Sequence, residues 1–457
     1  LSAATAHRRQ KIAVVGSGVS GLSAAWLLAS RHDVTLYEAQ ERAGGHSHTV
    51  VAPTADGPLP VDMGFIVYNE LNYPNLTALF AHLGVATKAS NMGFAVSLED
   101  GGVEYGGDNL LTLFSQWRNL LRPRFWSMLK DLVRFYREAP AHACALDADG
   151  ATLGDYLAAQ GYGRPFQDDH IIPQAAAIWS ASAGDIRNYP AAAFIRFCDN
   201  HGLLRIVDRP IWRTVDGGSR SYVRRLTEAL GPALRLNAAV TRIARTPSGV
   251  LVHDATGEVE RFDSVVVATH ADQGLALLAD PTPREQQLLG AFSYTTNRAI
   301  LHSDPRLMPR RRRVWSAWNY IGEARRATGA DPALCVTYWM NRLQDLPRST
   351  PLFVTLNPVV EPDPRLVIRT ETFQHPRFDV AAMRAQTELW SLQGTGGVWW
   401  CGAYFGSGFH EDGLQSGLAV AEALGGVRRP WQVDGESSRI HLPAAPLSAA
   451  TVLETAA

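Results

Sequence analysis

The chain has 457 residues, 46% hydrophobic and 19% charged, enough for two or three domains with cores of their own. Its formal net charge of −1 excludes a global electrostatic attraction to nucleic acid. No run of eighteen apolar residues occurs, so no segment reads as a membrane span, and the first ten residues lack the apolar centre of a secretion signal.

The first element is a β-branched run, Lys11-Ile12-Ala13-Val14-Val15, the pattern of a buried parallel strand. It leads into Gly16-Ser17-Gly18-Val19-Ser20-Gly21, and residues 22–29 then read as a helix. A second strand, residues 33–37, ends at Glu38, twenty positions after Gly18. Strand, glycine loop, helix and acid together form a dinucleotide fingerprint. Gly16 allows the tight turn, Gly18 lets the backbone approach a pyrophosphate, and Gly21 lets helix and strand pack closely. The helix N-terminus offers free N–H groups to the phosphates, and Glu38 is placed to hold ribose hydroxyls. A second glycine pair, Gly44-Gly45, followed by His46-Ser47-His48-Thr49, suggests another backbone approach to an extended pyrophosphate, as FAD requires.

Residues 101–212 read as largely helical. Within them, residues 110–137 combine aromatic and aliphatic side chains with Arg118, Arg122, Arg124, Lys130, Arg134 and Arg137 against Asp131 alone, a local charge of +5. Pro123 divides this stretch into two helical pieces. Aromatics beside a basic face suit a helix lying in a membrane interface. Arg310, Arg311, Arg312 and Arg313 form a second basic cluster, and the two clusters together point to an anionic membrane surface. A helical cap with a solvated arginine face is the plainer reading.

Residues 291–389 contain strand-like runs such as 333–339. Residues 399–417 then give strand, glycine-rich loop and the start of a helix that runs on through residues 418–424. Such a loop aims N–H groups at an electron-rich oxygen, which in a flavin site is a pyrimidine carbonyl. The motif order predicts a discontinuous dinucleotide domain over 9–100, 213–290 and 391–432. The cap and substrate domain falls at 101–212, the substrate sheet at 291–389 and a poorly ordered tail at 436–457. The four cysteines, Cys144, Cys198, Cys335 and Cys401, have no redox or metal spacing and read as reduced thiols of a cytoplasmic protein. His46 and His48 lack a third ligand at helical spacing, so no metal site is expected.

Taken together, the segments 16–21, 38–45, Asp62-Met63-Gly64, Gly217-Gly218 and 402–417 resemble the flavin-containing amine oxidase superfamily over most of residues 10–430. The resemblance implies an α/β fold, with a Rossmann-like FAD-binding domain, a mixed-sheet substrate domain and a helical cap. It extends the FAD-contacting set to Ser17, Ser20, Ala39, His46, Gly64, Phe65, Val240, Gly402, Gly408, Phe409, His410 and Gly413. Within the superfamily the strings Gly44-Gly45-His46-Ser47-His48-Thr49, Phe65-Ile66-Val67-Tyr68-Asn69-Glu70 and Phe409-His410-Glu411-Asp412-Gly413 resemble one bacterial group. That group is linked to methyltransferases similar to cyclopropane-fatty-acyl-phospholipid synthases. It includes desaturases of methyl-branched acyl chains in furan fatty acid synthesis. The resemblance implies a lipid acyl substrate and a lipid methyltransferase as partner.

Three departures count against amine oxidation. Lysine occurs only at Lys11, Lys88 and Lys130, none of them in the stretch Asn297-Arg298-Ala299-Ile300-Leu301, which resembles the strand region where amine oxidases commonly hold a lysine close to the flavin. Phe409 and the stretch Phe373-Gln374-His375 stand where two tyrosines are common, and His46 replaces the usual arginine. The expected reaction is hydride removal from an unsaturated or methyl-branched acyl chain, with loss of a proton from the next carbon. His375, His410 and Glu411 are the base candidates by motif position. Trp179, Trp212, Trp315, Trp318, Trp339 and Tyr404 are candidate walls. A redox-neutral double-bond isomerase, an amine oxidase and a non-catalytic flavin scaffold are the alternatives.

Overall fold

The computed structural model describes residues 9–206, 208–322 and 335–443. Lys11–Val15 is central to a five-stranded, all-parallel sheet in the order Leu234–Arg235, Asp33–Tyr37, Lys11–Val15, Ser264–Val267 and Val398–Trp400. Val265, Val266 and Val398 are fully buried, as expected of strands covered on both faces. This sheet is assembled from three stretches of chain far apart in sequence.

Two helices cross on this sheet, Val19–Ala29 and His410–Gly425. Their closeness depends on missing side chains. A Cβ on Gly417 would run into the Ser20 carbonyl oxygen, and one on Gly413 would stand 2.8 Å from Ser20 Oγ. Gly425 meets Leu28 in the same way. The Gly-rich far end of the chain is thereby packed against the fingerprint helix at its near end.

A seven-stranded mixed sheet forms the second layer, in the order Val367–Arg377, Ser293–His302, Phe353–Leu356, Val336–Trp339, Trp318–Ile321, Phe94–Leu98 and Val103–Gly106. Only the pairing of Trp318–Ile321 with Phe94–Leu98 is parallel. The last two strands correct the expected division at residue 100. The hairpin 94–106 extends the substrate sheet, so residues 101–212 do not begin as helix. Beyond it the chain is helical, and residues 110–137 fall into three pieces rather than two. These are Leu110–Leu113, the 3-10 turn Trp117–Leu121 and the long helix Pro123–Asp149, with Pro123 in the first turn, where its missing N–H costs nothing.

The tail also departs from expectation. Residues 436–443 are docked: Ile440 is buried, and Arg439 reaches the Asp412 carboxylate and the Asn72 carbonyl. The rest of the expected disordered tail, 444–457, lies outside the described residues. Among the described residues, no helix is long and apolar enough to cross a membrane.

Candidate active site

One cavity of about 1260 Å³ runs from the fingerprint loop to the mixed sheet and the helical cap. At one end it is lined by Gly16, Ser17, Gly18, Ser20, Glu38, Ala39, Gly45 and Val240. Gly18 is the N-cap of Val19–Ala29, and a Cβ placed on it would meet nothing within 4 Å. The helix N-terminus therefore opens onto the cavity. Glu38 bridges the rim: one carboxylate oxygen accepts from Ser17 N at 3.0 Å and Ser17 Oγ at 2.5 Å, the other from Gln40 N at 2.9 Å.

Three of the expected contact glycines act through packing instead. A Cβ on Gly21 would strike the Gly16 carbonyl. Gly44 sits at φ +113° and donates to the Ser17 carbonyl. Gly413 spends its N–H on the Phe409 carbonyl, in the first turn of its helix. None of the three lines the cavity, because each stands behind the loop it shapes.

The middle of the cavity is lined by His46, Gly64, Phe65, Gly402, Gly408, Phe409 and His410. His410 stacks on Phe65 at 3.8 Å, and its Nε2 meets Tyr222 Oη at 2.8 Å and Ser47 Oγ at 2.9 Å. Burial holds the imidazole neutral, with its pKa pushed down to about 3. Two hydroxyls engage Nε2, each able to donate or accept, so a base role for His410 would rest on Nδ1. Glu411 is a clearer correction. Its buried carboxylate accepts from Asn75 N and Leu76 N, both at 3.0 Å, and caps the helix Pro74–Leu83, whose own N-cap side chain makes no bond. It faces away from the cavity.

His375 does line the cavity, in a defined tautomer. On the paired strands Ser293–His302 and Val367–Arg377, Thr295 lies opposite His375 and Asn297 opposite Phe373. Side chains alternate along a strand, so Asn297 and His375 share a face. Asn357 Oδ1 accepts from the Arg298 backbone N–H at 2.9 Å, and Asn357 Nδ2 then donates to Asn297 Oδ1 at 2.7 Å. Asn297 Nδ2 is left to donate to His375 Nδ1 at 2.9 Å. A backbone N–H can only donate, so it orients each amide in turn and leaves the imidazole proton on Nε2. Burial and the neighbouring His270 lower the pKa to about 4, so the ring is neutral. His375 thus offers a donor rather than the lone pair assigned to it as a base.

The remaining wall is aromatic. Trp179, Trp212, Trp318 and Tyr404 line the cavity as expected, whereas Trp315 does not. Trp315 sits behind the sheet against Trp339 and Phe353, its indole N–H donating to the Pro309 carbonyl. Trp339 lines a small cleft elsewhere. No lysine lines the cavity: Lys11 pairs with Glu260 and Lys88 with Asp216.

Sequence reasoning missed His201 and His270, which carry no motif. Their positions depend on the helix Ala191–Asn200 and on the end of a parallel strand. His201 Nδ1 donates to the Phe197 carbonyl at 2.8 Å, so the lone pair is on Nε2. Its ring stacks on Phe197 at 3.9 Å, and Phe197 stacks on Phe409 at 4.7 Å. Burial, more than the nearby Arg439, pushes its pKa down to about 3. His201 Nε2, His270 Nδ1 and Trp318 Nε1 are buried without a partner although their residues line the cavity, so these atoms face the protein and not the open space. The open helix N-terminus and the Glu38 carboxylate at the rim fit FAD at one end of the cavity, with room for a substrate beside it.

Comparison with known proteins agrees. The family model for flavin containing amine oxidoreductase matches residues 19–425. AofH of Mycobacterium tuberculosis, named as a flavin-containing monoamine oxidase, is 27% identical over 302 residues, 61% of each chain. The chain thus spans about three fifths of the length of the curated relatives it matches first. Among solved structures, a CLA-producing fatty acid isomerase from P. acnes superposes with a TM-score of 0.64 at 16% identity, covering 91% of this chain and 98% of that one. Cyclohexylamine oxidase from Brevibacterium oxydans gives 0.64 at 17% identity, covering 91% and 100%. The chain belongs to the flavin-containing amine oxidoreductase family, with its α/β fold and its FAD.

Proposed function

We propose that this FAD-dependent oxidoreductase dehydrogenates an unsaturated or methyl-branched fatty acyl chain to a conjugated diene. The observation that supports this most is the lysine-free cavity, whose wall is aromatic and whose imidazoles are held neutral by burial. Such a wall suits an apolar chain with a few polar contacts for orientation. The fatty acid isomerase of the same fold lends the substrate class a precedent.

FAD, held by the loop 16–18 and Glu38, would supply the two-electron acceptor for a hydride, with dioxygen or an outside carrier as the final oxidant. The protein's residues do the rest. Trp179, Phe197 and Phe409 hold the chain and exclude water. A C–H bond beside the alkene gives up its electron pair as hydride, and the π-system delocalises the developing positive charge. The adjacent carbon loses its proton to a base within the cavity, so two C–H bonds give way to one C=C bond. His375 Nε2–H orients the polar end of the substrate or an electron-rich ring atom.

Anaerobic mixing of the holoprotein with a phospholipid carrying a branched unsaturated chain tests the reading. Flavin bleaching together with diene absorbance is expected. Hydrogen peroxide release from simple amines, with no bleaching by lipid, would overturn it. A redox-neutral isomerisation is the second reading, favoured by the same fold neighbour. It produces a shifted double bond with no acceptor consumed.

A further inference from the structure

We infer that the segment 110–126, with the basic turn 310–313, is a docking surface for an anionic lipid bilayer beside the cavity. The two stretches are nearly two hundred residues apart in sequence, yet both are fastened to one hairpin. Buried Glu104 accepts from Arg310 N at 2.7 Å and Arg311 Nη1 at 2.7 Å. The backbone of the same residue bonds Gln116 and Asn119, at 2.9 and 3.0 Å. Arg122 reaches the Gly102 carbonyl and Arg311 the Gly101 carbonyl, at the tip of that hairpin.

On this platform the apolar side chains point out. Leu110 is 72% exposed, Leu111 85%, Trp117 63% and Leu121 73%, with Leu120 and Trp126 also exposed. A run of that kind on short helical pieces is not a normal solvated face. Around it positive charges outnumber negative ones, with exposed Glu99 near Arg124 as an acid outside the ion pairs. Asp100, Glu104 and Asp169 neutralise Arg310, Arg311 and Arg124. Arg118, Arg122, Lys130, Arg312 and Arg313 have no carboxylate partner among the described residues. Apolar anchors with a surplus of unpaired cations suit a bilayer interface with anionic headgroups better than a protein face, which would bring its own acids and a flat fit. Gly107 and Asp108 line the cavity, so its wall ends two residues before Leu110. A bilayer bound here would lie beside that part of the cavity wall.

The test needs no turnover, so it stands apart from the reading of the reaction. Holoprotein is sedimented with vesicles of phosphatidylcholine alone, and of phosphatidylcholine with phosphatidylglycerol. The protein is expected to pellet with the anionic vesicles and to be released by high salt. Arg312→Gln with Arg313→Gln should lower partitioning roughly 30-fold, at about 1 kcal/mol per charge. Leu111→Glu with Trp117→Glu should abolish it, with the flavin spectrum retained in both variants. The inference is overturned if the protein stays in the supernatant with anionic vesicles or if both variants bind as the parent does. A solution dimer that Trp117→Glu converts to monomer, without vesicle binding, would assign the surface to a second copy and also overturn it.

Discussion

Asn297 donates its amide N–H to Nδ1 of His375 over 2.9 Å, across the paired strands that carry the two residues. The pair makes His375 a fixed donor. His375→Leu is expected to lower kcat/KM on the order of 10²-fold, the usual cost of one preorganised donor. His375→Gln, which supplies an N–H but is no base, should recover most of that loss. Steady-state kinetics on the acyl substrate check this. If Gln is as poor as Leu, His375 acts by another route.

Two glycines three residues apart in the fingerprint region, Gly18 and Gly21, should fail differently. A Cβ on Gly18 meets only open cavity, so Gly18→Ala should leave the thermal stability of flavin-free protein unchanged and weaken FAD retention. The mirror case is Gly21, one step behind the loop. A Cβ there strikes the Gly16 carbonyl, so Gly21→Val should destabilise the flavin-free fold itself. Thermal melts with and without added FAD separate these outcomes.

Glu411→Ala should cost stability rather than chemistry. It strips the acceptor from Asn75 N and Leu76 N in a buried place, a loss of about 3 kcal/mol. Turnover per flavin-bound molecule should stay within about twofold of the parent, since a group facing away from the cavity adds nothing to the barrier. Denaturant unfolding and flavin-normalised kcat are the measurements.

Acid should unfold this protein through its imidazoles. His375, His410 and His201 are held neutral, with pKa values near 4, 3 and 3 against an ordinary 6.5. The unfolded chain therefore binds more protons below pH 6.5. The stabilisation is fully present above that value and is lost as pH falls toward 4, where the native imidazoles begin to protonate. Tm measured from pH 8 to pH 4 should drop mainly below 6.5. A flat profile across that window would show that these rings are charged or solvated in the native state.

Local pattern was enough to read the fingerprint strand, loop and helix, because a turn without side chains followed by an amphipathic-to-buried helix is encoded within about thirty residues. The basic aromatic stretch at 110–137 was legible for the same reason. The bases were not. Motif position placed His410 and Glu411 beside the cofactor, but hydroxyl partners from Ser47 and Tyr222 occupy one and a helix N-terminus from residues 75 and 76 takes the other. Those partners are more than a hundred residues away from their targets. The sheet at 94–106 was misplaced because a short hairpin carries no mark of which sheet it will join. Composition and glycine spacing by themselves determined that the chain binds a dinucleotide at two ends of its length. Only the tertiary structure decided that His375 carries its proton on Nε2, since a tautomer is set by the hydrogen-bond partner that folding brings to the other nitrogen.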